Sequence, residues 1–254
     1  MGNKTWKTGI SDVSPGRIRI RGYDIAEIME KLTYAEVVYL VLRGELPSKA
    51  EAELMNAILV STVDHGPLPP SVLATRSVIS GGNSLNAAIA GGVLVIGDSH
   101  GGAIEQSAKI MQEWAKKGGE VSAIAADLVE WLKETGKRMP GFGHTLHQVD
   151  PRTAKLFDIA ERHGYSGKHI ELCRAIEKAL EEKLDKKLPI NVNGAVGAVI
   201  SDMGFDWRLG KGLFVISRVP GLLAHAYEEM IREKPLRKLG PMPFAYDGPG
   251  DRNI

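Results

Sequence analysis

Apolar side chains along this chain recur mostly at intervals of three and four residues, the spacing of helices with one face turned inward. Asp24 can cap a helix running to Lys31, and Thr33, with Glu36 three residues on, forms a capping box for a second helix that Gly44 ends. Ser48 and Glu51 repeat the box before a helix heading toward His65, with Leu54, Ile58, Leu59 and Val63 on its apolar side. Pro67, Pro69 and Pro70 then break the chain, and another helix is predicted from Ser71 onward. The run 85–96 is apolar on all sides and rich in Ala and Gly, which predicts a central, buried helix. Further amphipathic helices are predicted over 103–117, 121–135, 151–163, 167–184, 195–203 and 208–234. Strand-like alternation is confined to Arg17-Ile18-Arg19-Ile20-Arg21, behind the turn signal Ser14-Pro15-Gly16.

This pattern predicts an all-α fold with a minor N-terminal β hairpin. No strand series separates the helices, so a parallel sheet is not expected, and repeats of fixed period and low-complexity blocks are absent. A chain of 254 residues suffices for one large core, or for a main core with a smaller helical lobe. Apolar residues at 43% and charged residues at 25% are ordinary globular usage, which argues against disorder.

Charge narrows the partners. Lys plus Arg number 32 against 31 for Asp plus Glu, so no global positive field exists to hold a nucleic acid or an anionic membrane, and any anionic ligand must be met by local basic clusters. Cys173, the sole cysteine, excludes an intramolecular disulfide and a multi-cysteine metal site. It falls in a predicted amphipathic helix and reads as a buried structural thiol. Residues 1–8 are polar and lack the apolar core of a signal peptide, and the most apolar run, 87–96, is about half the length needed to cross a bilayer. A cytoplasmic protein is expected.

The polar residues with chemical promise sit at predicted helix edges beside glycines: Asp64-His65-Gly66-Pro67, Asp98-Ser99-His100-Gly101-Gly102 and Pro140-Gly141-Phe142-Gly143-His144. Glycine there lets backbone approach a ligand, and free N–H groups favour anions. Singly, each histidine reads equally well as a cap or a core residue; together they point to one shared pocket. His144, His147 and Asp150 stand three apart, as metal ligands on a helical turn would, but Pro151 biases the preceding residues away from helix, and no metal is expected. Arg152, and Arg218 in the otherwise apolar Phe214-Val215-Ile216-Ser217-Arg218-Val219-Pro220, can hold carboxylates through paired hydrogen bonds; an internal salt bridge is the alternative for Arg218. Pro189-Ile190-Asn191-Val192-Asn193-Gly194 reads as an uncharged helix entrance.

Several stretches resemble the citrate synthase family. Ile10-Ser11, Gly16 to Ile25, Glu36-Val37-Val38-Tyr39-Leu40 and Gly44-Glu45-Leu46-Pro47 are similar to its N-terminal signature, and Pro140-Gly141-Phe142-Gly143-His144 with Asp150-Pro151-Arg152 to its most specific stretch. The likeness spans nearly the whole chain in order. The shortening between Pro47 and Asp64, together with Asp64-His65-Gly66-Pro67 and Ile96-Gly97-Asp98 before a Gly-Gly pair, looks more like the citryl-CoA lyases and the citrate-synthase-homology part of ATP-citrate lyases.

The resemblance implies a citrate-synthase-like multi-helical fold: a large domain over 1–135 and 190–254, and a small coenzyme A-binding lobe over 136–189. It implies an enzyme that cleaves citryl-CoA to acetyl-CoA and oxaloacetate through an enolate, with coenzyme A entering as an acyl-CoA substrate. Condensation of acetyl-CoA or a related acyl-CoA with oxaloacetate, and a non-catalytic coenzyme A or citrate-binding module, are the alternatives. Carried across, His65 binds a substrate carboxylate, His144 contacts the oxygen at the bond made or broken, and His100 donates to the thioester oxygen. Arg152 and Arg218 clamp carboxylates, the loop of Pro140, Gly141, Phe142 and Gly143 wraps the adenine end of coenzyme A, and Lys137 and Arg138 contact its phosphates. Two positions depart from the family. Asn193 stands where the family has the proton-transferring aspartate, and an amide cannot shuttle a proton. Lys234 stands where the family has an arginine that reaches a neighbouring subunit's site, with Arg237 as a substitute. A homo-oligomer with shared active sites is implied.

Overall fold

The computed structural model describes residues 6–143, 149–184, 187–237 and 247–253. It opens with a three-stranded antiparallel sheet, β1 (Ser11–Ser14), β2 (Arg17–Ile20) and β3 (Tyr23–Asp24), in sheet order β1-β2-β3. Ser14 faces Arg17 across the Pro15-Gly16 turn. Among the described residues the elements after it are helical: α1 (Ile25–Lys31), α2 (Tyr34–Arg43), α3 (Lys49–Ser61), α4 (Pro70–Ser80), α5 (Leu85–Leu94), α6 (Ala103–Ala115), α7 (Val121–Thr135), α8 (Pro151–Arg162), α9 (Lys168–Leu184), α10 (Val192–Asp202) and α11 (Gly210–Arg232), with a 3-10 turn at Trp207–Leu209.

The caps form as the sequence specifies. Asp24 accepts from the Ala26 amide, and the reciprocal boxes Thr33/Glu36 and Ser48/Glu51 open α2 and α3. Gly44 closes α2 in a left-handed conformation at φ 89°. Cys173 is buried and its Sγ donates to the Gly194 carbonyl at 3.8 Å, as a structural thiol does; burial pushes it well above the ordinary thiol range.

The centre of the molecule is α10, on which Val192 and every residue from Gly194 to Ser201 is buried against α6, α8 and α9. The 85–96 run, expected to be that centre, is not. α5 buries only Ala88 and Gly92, packs on α4 and α11, and leaves Leu94 82% exposed. Both helices are small and apolar, so composition cannot tell them apart; the difference is that α10 has helices on every side and α5 has them on one. The start of α10 also lies three residues earlier than predicted, because the Asn191 side chain caps it through the amides of Asn193 and Gly194.

Candidate active site

A cleft of about 540 Å³ is lined by Thr62, His65, Pro69, Pro70, Ser99, His100, Gly101, Arg152, Asn191, Val192, Asn193, Phe214 and Arg218. Five residues singled out in the sequence thus meet in one place: His65 from the turn after α3, His100 from the turn before α6, Arg152 from the first turn of α8, Asn193 from the first turn of α10, and Arg218 from the middle of α11.

The His100 turn is closed by backbone bonds between Gly97 and His100 in both directions, at 2.9 and 3.0 Å. Its Nε2 lies 2.9 Å from the hydroxyl of Ser71, which is fully buried at the start of α4. The ring meets Phe214 edge-on, centroids 5.9 Å apart. Burial, reinforced by the positive charge of Arg218, pushes His100 below the ordinary histidine range and keeps it neutral at pH 7.

Arg218 is 3% exposed and rests over the Phe214 ring, 5.0 Å from its centroid. Its Nε donates to the Thr62 carbonyl at 2.9 Å, while its Nη1 is buried without a hydrogen-bond partner. No carboxylate lies within ion-pair distance among the described residues, so the internal salt bridge weighed as the alternative is not what holds it. A buried guanidinium with an unused N–H beside a cleft suits an anionic ligand. Burial lowers its pKa, partly offset by Asp64.

Arg152 is held differently. Asp150, 0% exposed, accepts its Nε at 2.9 Å and its Nη2 at 2.8 Å, and takes the amides of Arg152 and Val192 at 3.0 Å each. Burial works to raise the Asp150 carboxyl, but the bonds to Arg152 and Val192 hold it below the usual carboxylate range. One carboxylate therefore ties the Arg152 fork to the start of α10. With its oxygens so occupied, Asp150 is not available as the third ligand of the metal reading; His144 and His147 lie outside the described residues.

The Asn193 Oδ1 is buried and has no hydrogen-bond partner. Its helix entrance is fastened to the Pro140–Gly143 loop. The Asn191 amide donates to the Gly141 carbonyl at 3.0 Å and the Asn191 side chain to the Gly143 carbonyl at 2.8 Å, while the Gly143 amide donates to Pro189 at 2.7 Å. Gly141 adopts φ 82°, and a Cβ on it would stand 2.5 Å from the Gly194 Cα; a Cβ on Gly194 would stand 2.4 Å from the Gly141 carbonyl oxygen. The two strands of backbone cross in direct contact, which only glycine permits.

The remaining expected site residues lie elsewhere or outside the described residues. His144 belongs to the latter. Pro140, Gly141, Phe142 and Gly143 lie behind Asn193, not in the cleft lining. Lys137 and Arg138 are exposed after α7, with the Lys137 ammonium 4.9 Å from the Trp131 ring centroid. Lys234 borders a separate hollow with Glu229 and Glu233, and Arg237 pairs with Glu229 at 2.8 Å and Glu233 at 2.6 Å. Glu229 is about 16 Å along α11 from Arg218, so neither cation reaches the cleft of its own chain. Sequence reasoning missed Ser71, Thr62 and Phe214, which orient His100 and Arg218; nothing in their local pattern separates them from cap and core residues.

A helical frame around a cleft that presents imidazoles and guanidinium groups fits the citrate-synthase type. The model of the citrate synthase C-terminal domain matches residues 1–54 and 48–239, and the chain belongs to the citrate synthase family. It is 43% identical to the citryl-CoA lyase of Hydrogenobacter thermophilus, over 99% of this chain and 98% of that one, with a TM-score of 0.92. An ATP citrate lyase of Methanosaeta concilii, a D541A mutant in complex with (3S)-citryl-CoA, shares the fold at a TM-score of 0.85 and 23% identity, over 98% of this chain and 43% of that one. The probable ATP-citrate synthase of Dictyostelium discoideum is 28% identical over 239 residues, which are 87% of this chain; the chain spans 38% of that relative's length.

Proposed function

We propose that the chain is a citryl-CoA lyase, cleaving citryl-CoA to oxaloacetate and acetyl-CoA. The observation that carries this reading is the convergence of His65, His100, Arg152 and Arg218 on one cleft, in a chain similar over its whole length to a citryl-CoA lyase. The guanidinium groups of Arg152 and Arg218, with His65, hold the substrate carboxylates. As the carbon–carbon bond breaks, its electron pair moves onto the thioester carbonyl oxygen, and a neutral His100 donating there stabilises the enolate by about 3 kcal/mol. His144 takes the substrate hydroxyl proton. The enolate carbon then gains a proton from a water molecule, and the hydroxide so formed takes back the proton held by His144, since the described lining of the cleft has no carboxylate and the Asn193 amide is too weak an acid to supply one. Coenzyme A is a substrate portion in this scheme, with Lys137, Arg138 and the 140–143 loop as its contacts, and the 136–189 lobe as the part that closes on it.

The test is incubation with citryl-CoA while oxaloacetate is followed through malate dehydrogenase. Oxaloacetate and acetyl-CoA appearing in equal amounts support the lyase; no release, by this chain or by Asn193→Asp, sinks it. Asn193 also favours a second reading, a citrate or coenzyme A-binding module. Tight binding of citrate in calorimetry with no turnover by either chain would select it.

A second copy of the chain covering the bare sides of α5 and α11 belongs to the same proposal. α5 carries no charged residue, and Leu94, Tyr227 and Ile231 are 82%, 57% and 60% exposed, apolar side chains of the kind an interface covers. In such an assembly Lys234 and Arg237 would take the part that the family resemblance implies for them, at a neighbour's cleft. Sedimentation of Leu94→Asp against the parent chain tests it. No helix among the described residues is long and apolar enough to cross a membrane. A cytosolic setting is supported by the single, buried thiol.

A further inference from the structure

His65 reaches the cleft from an irregular turn, and a side chain that must meet a substrate carboxylate needs that turn held still. α3 ends at Ser61, and the chain turns through Thr62, Val63, Asp64, His65 and Gly66 before the prolines that open α4. The fixing group is the Asp64 carboxylate. Its Oδ2 accepts the Gly66 amide at 2.9 Å, and its Oδ1 lies 3.1 Å from Nε2 of His225 on α11. The turn can lie this close to α11 because position 221 is glycine; a Cβ there would stand 2.2 Å from the Val63 carbonyl oxygen.

His225 follows Arg218 by seven residues, two turns of helix, so the two side chains leave the same face of α11 about 10 Å apart. One grips the cleft side of the 62–66 turn through the Thr62 carbonyl, the other grips its outer side through Asp64. We infer that His225 is a positioning residue for the cleft: acting through Asp64, it sets the His65 imidazole relative to Arg218, so that one helix aligns both carboxylate-binding groups. The inference rests on the reading of this cleft as a citryl-CoA site.

The surroundings of His225 fit a fixed donor. Its side chain is largely buried, Nε2 faces Asp64, and Nδ1 has no hydrogen-bond partner, with the nearest acid, Glu228, 3.9 Å away and itself engaged by Arg232 and Arg76. Burial works to raise the Asp64 carboxyl, but the Gly66 amide and His225 hold it below the usual carboxylate range. The turn bonds are therefore made by a charged acceptor, which makes them stronger than neutral ones.

A tie that served only to pin α11 to α3 would cost stability and leave ligand binding alone, so the test separates the two. His225→Ala, His225→Gln and His225→Asn are compared with the parent for citrate affinity by calorimetry, for KM and kcat with citryl-CoA, for melting temperature, and for the C2–H resonance of His65 in 13C-histidine-labelled protein. The expected result is that His225→Ala weakens citrate binding and raises KM about tenfold with kcat within about threefold, since small displacements of a binding group carry such factors. His225→Gln, whose amide reaches the Nε2 position, restores both and returns the His65 resonance; His225→Asn, whose amide reaches only the Nδ1 position, does not. Unchanged citrate affinity and an unmoved His65 resonance in His225→Ala would overturn the inference. So would equal impairment of His225→Gln and His225→Ala at parental melting temperature. If His225→Ala does not fold, the Gln and Asn pair decides. A parent chain that fails to cleave citryl-CoA counts against the lyase reading alone, because the His65 resonance still reports the positioning.

Discussion

Nε2 of His100 lies 2.9 Å from the hydroxyl of Ser71, and that contact decides which ring nitrogen faces the cleft with a proton. A neutral imidazole has one N–H. If the Ser71 hydroxyl donates to Nε2, the proton sits on Nδ1, and the ring is a donor toward a thioester oxygen. Ser71→Ala removes that bias. Its expected effect is a fall in the cleavage rate of about tenfold or more, with citrate affinity nearly unchanged, since a transition-state donor is lost and the carboxylate clamp is not. Single-turnover kinetics beside calorimetry would check it.

His100 also predicts a pH dependence of stability. Its folded-state pKa lies below the unfolded one, through burial and then the Arg218 charge. The unfolded chain therefore binds the extra proton first as pH falls, and stability is lost from about pH 6.5 downward until the folded value is passed. His100→Gln lacks this term. The difference in unfolding free energy between parent and variant should shrink on going from pH 7.5 to 5.5 in urea titrations; a constant difference would refute it.

Asp150 makes four hydrogen bonds from a site with no solvent exposure. Asp150→Ala strands the Val192 amide and frees the Arg152 fork, and breaking a buried charged pair in this way costs about 3–5 kcal/mol. A large drop in melting temperature is expected together with weaker citrate binding, measured by calorimetry well below the melting point.

Asn193→Asp restores a group able to pass a proton at the enolate carbon. Cleavage and condensation should both quicken, because an acid catalyst lowers one barrier seen from either side and cannot move the equilibrium. The carboxylate would enter a buried spot where the Asn193 oxygen has no partner, so the gain should be accompanied by some loss of stability. Coupled assays in both directions on the same preparation would expose a one-sided change, which would contradict the assignment.

How far the sequence could be read follows from what each signal is made of. Thr33/Glu36 and Ser48/Glu51 are local, since cap and partner lie three residues apart, and both formed as written. The 85–96 run failed because burial is a property of neighbours: α5 and α10 look alike in composition, and only tertiary packing distinguishes them. Within the cleft, Arg218 was accessible because a charge interrupts an apolar run, and His65 and His100 because histidines beside glycines recur at helix edges; Asn193 passes locally for a helix cap and was singled out by the family resemblance alone. Ser71, Thr62 and Phe214 break nothing. A serine at a helix start, a threonine at a helix end and a phenylalanine on an apolar face serve the site only through partners 29, 156 and 114 positions away in sequence, the last by His100.

The crossing of Gly141 over Gly194 has a consequence for how this protein can vary. Where two side chains touch, a loss on one is often made good by a change on the other; here neither partner has a side chain to adjust. Saturation libraries should find both positions closed to substitution, with no rescuing double variants, so any drift in the loop or the helix entrance must go around this point.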